Sequence, residues 1–130
     1  MIELRLITTK DLEWARRIRN NNRQYFFDQE IITKKKMDKW FLEHTSKFFI
    51  IWVDKKRIGT ISVNTKELGN VLILPEYRKK GIFTKVMQIV KSNYYVLYLH
   101  VKSDNLEAIK AYKKVGFVPT AVEMRYDSNI

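Results

Sequence analysis

The spacing of apolar residues along the chain changes period several times, and each change marks an element. Ile2, Leu4 and Leu6 alternate with Glu3 and Arg5, which predicts a strand. Thr8, followed three residues later by Asp11, forms a capping box that opens a helix with Leu12, Ala15 and Ile18 on one face. That helix should end at Asn20, Asn21 and Asn22, whose side chains compete for backbone hydrogen bonds. The aromatic stretch Tyr25, Phe26 and Phe27 leads through Asp28 and Glu30 to Thr33, the expected N-cap of a second helix with Met37, Trp40 and Phe41 at i, i+3 and i+4.

From Lys47 the pattern turns extended. The apolar run FFIIWV, the polar turn DKKR and the segment IGTISVN predict two strands joined by a hairpin. A second turn is expected at Leu68-Gly69-Asn70, leading into the short strand Val71 to Leu74, which Pro75 stops. After Gly81 the positions Ile82, Val86, Ile89 and Val90 return to helical spacing. YYVLYLHV, from Tyr94 to Val101, has the composition of a buried strand. Asn105 to Val115 reads as a helix with Gly116 as its C′ residue, and Thr120 to Tyr126 as a final strand. The order β-α-α-β-β-β-α-β-α-β, without linker, repeat or low-complexity tract, predicts one mixed α/β domain over residues 1–130. Sheets of this kind bind ligands beyond the carboxyl ends of their strands, so the chemistry is expected just after Leu74 and just after Val101.

Composition narrows the possibilities. The chain is 45% hydrophobic and 13% aromatic, enough for a core and too much for a disordered basic tail. Absence of cysteine excludes a disulfide scaffold, thiolate zinc ligands and a cysteine nucleophile. With His44 and His100 the only imidazoles, no metal site is expected. The N-terminus lacks a signal-peptide pattern, and no window approaches the ~18 consecutive apolar residues of a membrane span, so a soluble cytoplasmic protein is expected. Lys plus Arg number 25 against 14 Asp plus Glu, a net charge of +11. Such an excess suits either nucleic acid or a small polyanion.

The segment after Leu74 favours the small polyanion. Pro75-Glu76-Tyr77-Arg78-Lys79-Lys80-Gly81-Ile82-Phe83-Thr84 joins a strand to a helix start through a basic turn. Free backbone N–H groups and the helix dipole attract a phosphate there, whereas cations at that end are unfavourable by up to ~1 kcal/mol each without an anion. The form Arg78-x-x-Gly81 resembles the acetyl-coenzyme A signature R/Q-x-x-G-x-G/A of the GNAT superfamily of N-acetyltransferases. Asn105-x-x-Ala108-Ile109-x-x-Tyr112-x-Lys114-x-Gly116-Phe117 is similar to that superfamily's second cofactor segment. One position departs: Phe83 stands where Gly or Ala is usual, so its ring must point away or shift the helix.

The resemblance implies a mixed α/β GNAT fold: a mostly antiparallel sheet of six to seven strands, splayed between the fourth and fifth and flanked by four helices. Acetyl-CoA would be the co-substrate, with no metal. Val71, Leu72 and Ile73 would hold the pantetheine arm and the thioester carbonyl, and Arg78, Lys79, Lys80, Gly81, Ile82, Phe83 and Thr84 the phosphates. Asn105, which also reads as a plain N-cap, would hold pantetheine. Tyr112, otherwise a core tyrosine, would protonate the leaving thiolate. His100 stands where a related group, the ribosomal-protein alanine acetyltransferases, has a glutamate base. The N-terminal third is similar to members acting on nucleotide-linked amino sugars, with Arg19, Asn20, Arg23, Tyr25, Phe26, Asp28 and Glu30 as acceptor residues. Lys34 to Lys36 reads as a solvated face. The expected partners are a small amine, preferably a nucleotide sugar, and coenzyme A, in a monomer or a homodimer paired through the final strand. The alternatives are acetylation of protein N-termini and a non-catalytic basic module. The second is disfavoured by the scattered charge and by the lack of a nucleic-acid motif.

Overall fold

The computed structural model of the chain describes residues 1–26, 28–44 and 47–129; Phe27 of the aromatic stretch lies outside them. β1 (Ile2–Leu6), β2 (Phe48–Val53), β3 (Lys56–Asn64) and β4 (Glu67–Ile73) form an antiparallel sheet in that order. α1 (Leu12–Asn21) and α2 (Lys34–His44) lie between β1 and β2, and α3 (Ile82–Lys91) and α4 (Leu106–Lys114) follow β4. No helix among the described residues is long and apolar enough to cross a membrane.

The continuous apolar run of β2 follows from a sheet covered on both faces. Ile50 packs with Ile7, Ala15, Met37 and Phe48 under α1 and α2. Its neighbour Ile51 packs with Ile58, Ile61, Val63 and with Val86, Met87 and Val90 of α3. Ile50, Ile51, Ile58 and Ile61 are all 0% exposed, and each such side chain contributes about 1.5–3 kcal/mol of burial free energy. The buried face of α3 is thus Val86, Met87 and Val90, and Ile89, expected on it, is exposed.

Local signals at the helix ends act as expected. The Asp11 carboxylate reaches back to the Thr8 N–H at 2.8 Å, and its other oxygen takes Nε of Arg57 at 2.9 Å. The Asn22 amide donates to the Ile18 carbonyl at 2.8 Å, Thr33 accepts from the Lys36 N–H at 3.2 Å, and Asn105 accepts from the Ala108 N–H at 3.2 Å. Asp54 and Lys55, with φ of 47° and 68°, form the two-residue β2–β3 turn, whose twist requires left-handed residues.

Two expectations need correction. Leu68-Gly69-Asn70 is not a turn: the chain reverses at Thr65 and Lys66, and Leu68 pairs with Val63 inside β4. The six to seven strands are not formed either, because the described residues make four. From Tyr94 to Val101 only Tyr98 joins the sheet, through a single parallel bridge to Glu67. The segment from Thr120 to Tyr126 has no strand partner among the described residues, and Val122, Met124 and Tyr126 are exposed. Apolar alternation makes a segment suitable for a strand, but a strand exists only where a neighbour takes its hydrogen bonds.

The β3–β4 ladder carries an irregularity that shapes the outer edge of the sheet. Thr60 pairs with Leu72 and Ser62 with Gly69, so two residues, Asn70 and Val71, oppose the single Ile61. Asn70 sits at φ 49°, the left-handed region that some bulges use at their first residue. Next to it Gly59 lets the strands close: a Cβ there would lie 2.1 Å from the Leu72 carbonyl oxygen. Gly59→Ala should therefore lower stability in urea denaturation by at least the ~1–3 kcal/mol of core overpacking. Gly69→Ala, whose added carbon meets only the Ser62 hydroxyl at 3.3 Å, should cost distinctly less.

Candidate active site

The bulge leaves β4 with a usable outer edge. Leu74 donates its N–H to Ile58 across the ladder at 2.9 Å. Since backbone groups alternate along a strand, those of Ile73 and Val71 point to the other side. There the pairing with the Tyr98 segment stops at Lys66 and Leu68. The Ile73 carbonyl on this edge accepts Nε of Arg78 at 2.8 Å. Leu72 and Ile73 are buried and Val71 half-buried, so their side chains hold the strand while its outer backbone faces a gap.

Arg78 thereby serves the turn that follows β4. Its guanidinium carbon lies 5.0 Å from the Tyr25 ring centroid, so the arginine ties β4 to the loop after α1. Pro75–Tyr77 forms a 3-10 turn, Lys79 takes φ 61°, and Gly81 caps α3 at φ 77°. Nothing stands within 4 Å of a Cβ placed on Gly81. Glycine is needed there for its conformation, and the approach to the first turn of α3, Ile82 to Thr84, is open. Lys80 is exposed, with Nζ 5.8 Å from the Tyr77 ring.

Phe83 turns inward. Its ring meets Tyr112 edge-on at 5.5 Å, and Tyr112 meets Phe117 in the same manner at 5.6 Å. The bulky side chain that departs from the signature therefore packs into the core beside Tyr112 instead of covering the helix start. Enclosure raises the Tyr112 phenol from its ordinary 10.0 to about 12, through loss of solvation of the phenolate. The phenol is a proton donor at any physiological pH. His100 holds Glu67 through Nδ1 at 2.6 Å, with the Tyr98 ring 6.1 Å away. Glu67 begins β4, about 10 Å before Asn70 at ~3.3 Å per residue, so this pair lies away from the bulge.

On the opposite face of the sheet a cavity of about 200 Å³ opens between α1, α2 and the strands. Arg19 of the expected acceptor set lines it, with Asn70 and Thr60 from the bulge. The rest of that set is dispersed. Asn20 spends both ends of its amide on Ile32, accepting its N–H at 2.8 Å and donating to its carbonyl at 2.9 Å, which pins the loop to α1. Phe26 is a core residue packed with Ile18 and Leu72. Asp28 caps the Glu30 N–H at 3.0 Å, Glu30 faces solvent near Lys36 at 3.9 Å, and Arg23 is exposed. Sequence reasoning missed Asn70, Thr60 and Lys36. The available signal was an asparagine inside an apolar strand, which is poor β-former chemistry and good bulge chemistry.

A strand edge with free backbone groups, a glycine-led helix start beyond it and a shielded phenol are the parts of a thioester site. The family model "Acetyltransferase (GNAT) family" matches residues 11–117. The chain belongs to the GNAT family of acetyltransferases. It is accordingly an acetyl-CoA-dependent N-acetyltransferase. The spermidine N(1)-acetyltransferase of Escherichia coli (strain K12) is 25% identical over 134 residues, covering 89% of this chain and 72% of that protein. Spermidine N-acetyltransferase from Vibrio cholerae, solved in complex with CoA and spermine, superposes with a TM-score of 0.73 at 23% identity, over 92% of this chain and 82% of that one. AAC(6')-Iy in complex with the bisubstrate analog CoA-S-monomethyl-acetylneamine gives a TM-score of 0.72 at 16% identity, over 98% of each. The acetyltransferase's own residues suit the co-substrate: the basic turn Arg78 to Lys80 and the open Gly81 helix start match phosphates in charge and access.

Tyr112 provides a check on this geometry. Its folded pKa is raised, so the stabilising contribution is complete below pH 10 and is lost as pH climbs to about 12. The wild-type enzyme should lose stability across that interval more steeply than Tyr112→Phe. In tyrosinate absorbance, the signal missing from the variant should be the last to rise in the wild type.

Proposed function

We propose that the enzyme moves an acetyl group from acetyl-CoA directly onto the primary amine of a small acceptor, without an acyl-enzyme intermediate. The observation that carries this is the outer edge of β4 beside the bulge, with the Gly81 start of α3 on one side and the α1–α2 cavity on the other. The edge backbone of Val71 to Ile73 holds the pantetheine arm. A backbone N–H there, aimed at the oxygen that gains charge as the amine attacks, contributes an effect typically worth ~3–4 kcal/mol. Arg78, Lys79 and Lys80 with the amides from Gly81 to Thr84 bind the phosphates, and Asn105 steadies pantetheine at the start of α4. Tyr112 gives its proton to the sulfur as the tetrahedral intermediate collapses; its raised pKa keeps the phenol protonated until that step. His100, paired with Glu67 at the far end of β4, is given no part in the transfer, and the amine loses its proton to solvent.

For the acceptor we favour a nucleotide-linked amino sugar, which joins an amine to negative charge and is drawn to a protein of net charge +11. The second reading is a polyamine, favoured by the spermidine acetyltransferases among the relatives.

Release of the coenzyme thiol, followed with a thiol reagent, tests the reaction. Tyr112→Phe should lower kcat by roughly 10²-fold, in keeping with the loss of a general acid, with the KM for acetyl-CoA nearly unchanged. Gly81→Val should do the reverse, raising that KM by roughly tenfold, because a β-branched residue resists φ 77°. An undiminished kcat in Tyr112→Phe would remove the tyrosine from the mechanism. Offering a UDP-linked amino sugar and spermidine in parallel decides between the acceptors.

A further inference from the structure

The cavity on the α1–α2 face is built for negative charge. Three cationic side chains line it, Arg16, Arg19 and Lys36, with Thr60 and Asn70 at its floor and no carboxylate in its wall among the described residues. Arg16 is already neutralised by Glu13, with Nη2 to Oε1 at 2.6 Å. Of the other two cations, Lys36 makes only a loose, exposed ion pair and Arg19 none among the described residues. Lys36 lies 3.9 Å from Glu30, with both side chains mostly in water. Arg19 has no carboxylate within ion-pair distance among the described residues.

Arg19 is the unusual member. Its guanidinium is largely withdrawn from solvent, its carbon 3.8 Å from the Phe26 ring centroid. It donates to the Asn70 side-chain oxygen and to the Asp28 main-chain oxygen, the latter at 3.0 Å, while its buried Nε has no partner among the described residues. Desolvation lowers its pKa from the usual arginine value, an effect only partly opposed by the field of Asp28. A half-buried cation whose hydrogen bonds all go to neutral oxygens gains from an anion that completes it. A guanidinium is also well suited to a planar or tetrahedral oxyanion, which it can meet with two parallel N–H groups. The apolar walls Met37, Trp40 and Phe48 offer a carbon skeleton a surface beside that charge.

We infer that this cavity is an oxyanion subsite, in which Arg19 and Lys36 receive a carboxylate or phosphate carried by the amine acceptor. The inference rests on the acetyltransferase reading above and adds to it the acceptor's chemical class and the residues that select it. Asn70 lines the cavity and is bonded directly to Val71, so an anionic group held there sets its amine next to the β4 edge. The same wall repels a polyamine, whose ammonium groups would stand against Arg19 and Lys36.

The test compares four amines with the intact enzyme and acetyl-CoA. Glucosamine, glucosamine 6-phosphate and muramic acid share one amine and differ in carrying no anion, a phosphate or a carboxylate, and spermidine supplies the cationic arm. At least one anionic sugar should exceed glucosamine in kcat/KM by roughly tenfold or more, and which of the two does so identifies the oxyanion. Lys36→Glu, at a side chain 62% exposed and so safe for folding, should bring that ratio to within about threefold, the change falling on KM and not kcat. Equal or better use of glucosamine or spermidine, or a ratio that survives Lys36→Glu, overturns the subsite. A thermal-shift series on the CoA-saturated enzyme separates failure here from failure of the reaction itself. If no amine is acetylated, an increase in Tm with an anionic sugar but not with glucosamine, lost in Lys36→Glu, sustains the subsite and rejects the proposed reaction. No increase with either anionic sugar in that case rejects the subsite.

Discussion

The bulge that sets Asn70 and Val71 against Ile61 is the constraint on which the rest of the site depends. A regular ladder would carry β4 straight alongside the next segment, and its outer backbone would be consumed in pairing. With one extra residue the strand turns, and its contact with the Tyr98 segment ends after a single bridge. The N–H and C=O of Val71 and the N–H of Ile73 are then left for another partner, the Ile73 carbonyl being taken by Arg78. Gly59 makes the turn sterically possible, and Thr60 and Ser62 stabilise it by hydrogen bonds to the Asn70 main chain at 2.5 Å and side chain at 2.9 Å.

The same residue couples the two faces of the sheet. Asn70 accepts from Arg19 of α1 on one side, and two residues beyond Val71 the Ile73 carbonyl accepts from Arg78 on the other. Arg78 stacks on Tyr25, and Phe26, next in sequence, packs against Leu72 and under Arg19. A closed circuit of contacts thus joins α1, the loop after it, the end of β4 and the basic turn before α3. Displacing Tyr25 or Phe26 would disturb coenzyme and acceptor sides together, although neither residue needs to touch either substrate.

Elements governed by local chemistry were legible in the sequence. Thr8 with Asp11, Thr33 and Asn105 announced helix starts because capping involves side chains a few residues apart. Gly81 announced the start of α3, where it takes φ 77°, for the same reason. What required distant partners was not legible. Leu68-Gly69-Asn70 carried turn composition, yet the turn fell at Thr65 and Lys66, since pairing of Leu68 with Val63 decided the register. Tyr94 to Val101 carried strand composition without a continuous neighbour. Among the acceptor residues, Asn20 and Phe26 have the chemistry of ligands but are used by the fold, one as a clamp on Ile32 and one as core. Lys36 is solvated, as its sequence context suggested, and also lines the cavity from α2.

The division of labour within the fold bears on what its relatives can say about this chain. The β4 edge acts through backbone groups, so nearly any aliphatic sequence with a residue tolerant of the bulge preserves it. The proposed acceptor side uses side chains of α1 and α2 that line the cavity, and changing them leaves the bulge, the edge and the glycine-led turn intact. On the proposed reading, acetyl transfer and acceptor choice are separable in this architecture: the first uses backbone groups of β4, and the second a few side chains such as Arg19 and Lys36. Agreement with a spermidine acetyltransferase in the first says little about the second, for which the sign of charge in the cavity wall is the more direct indicator.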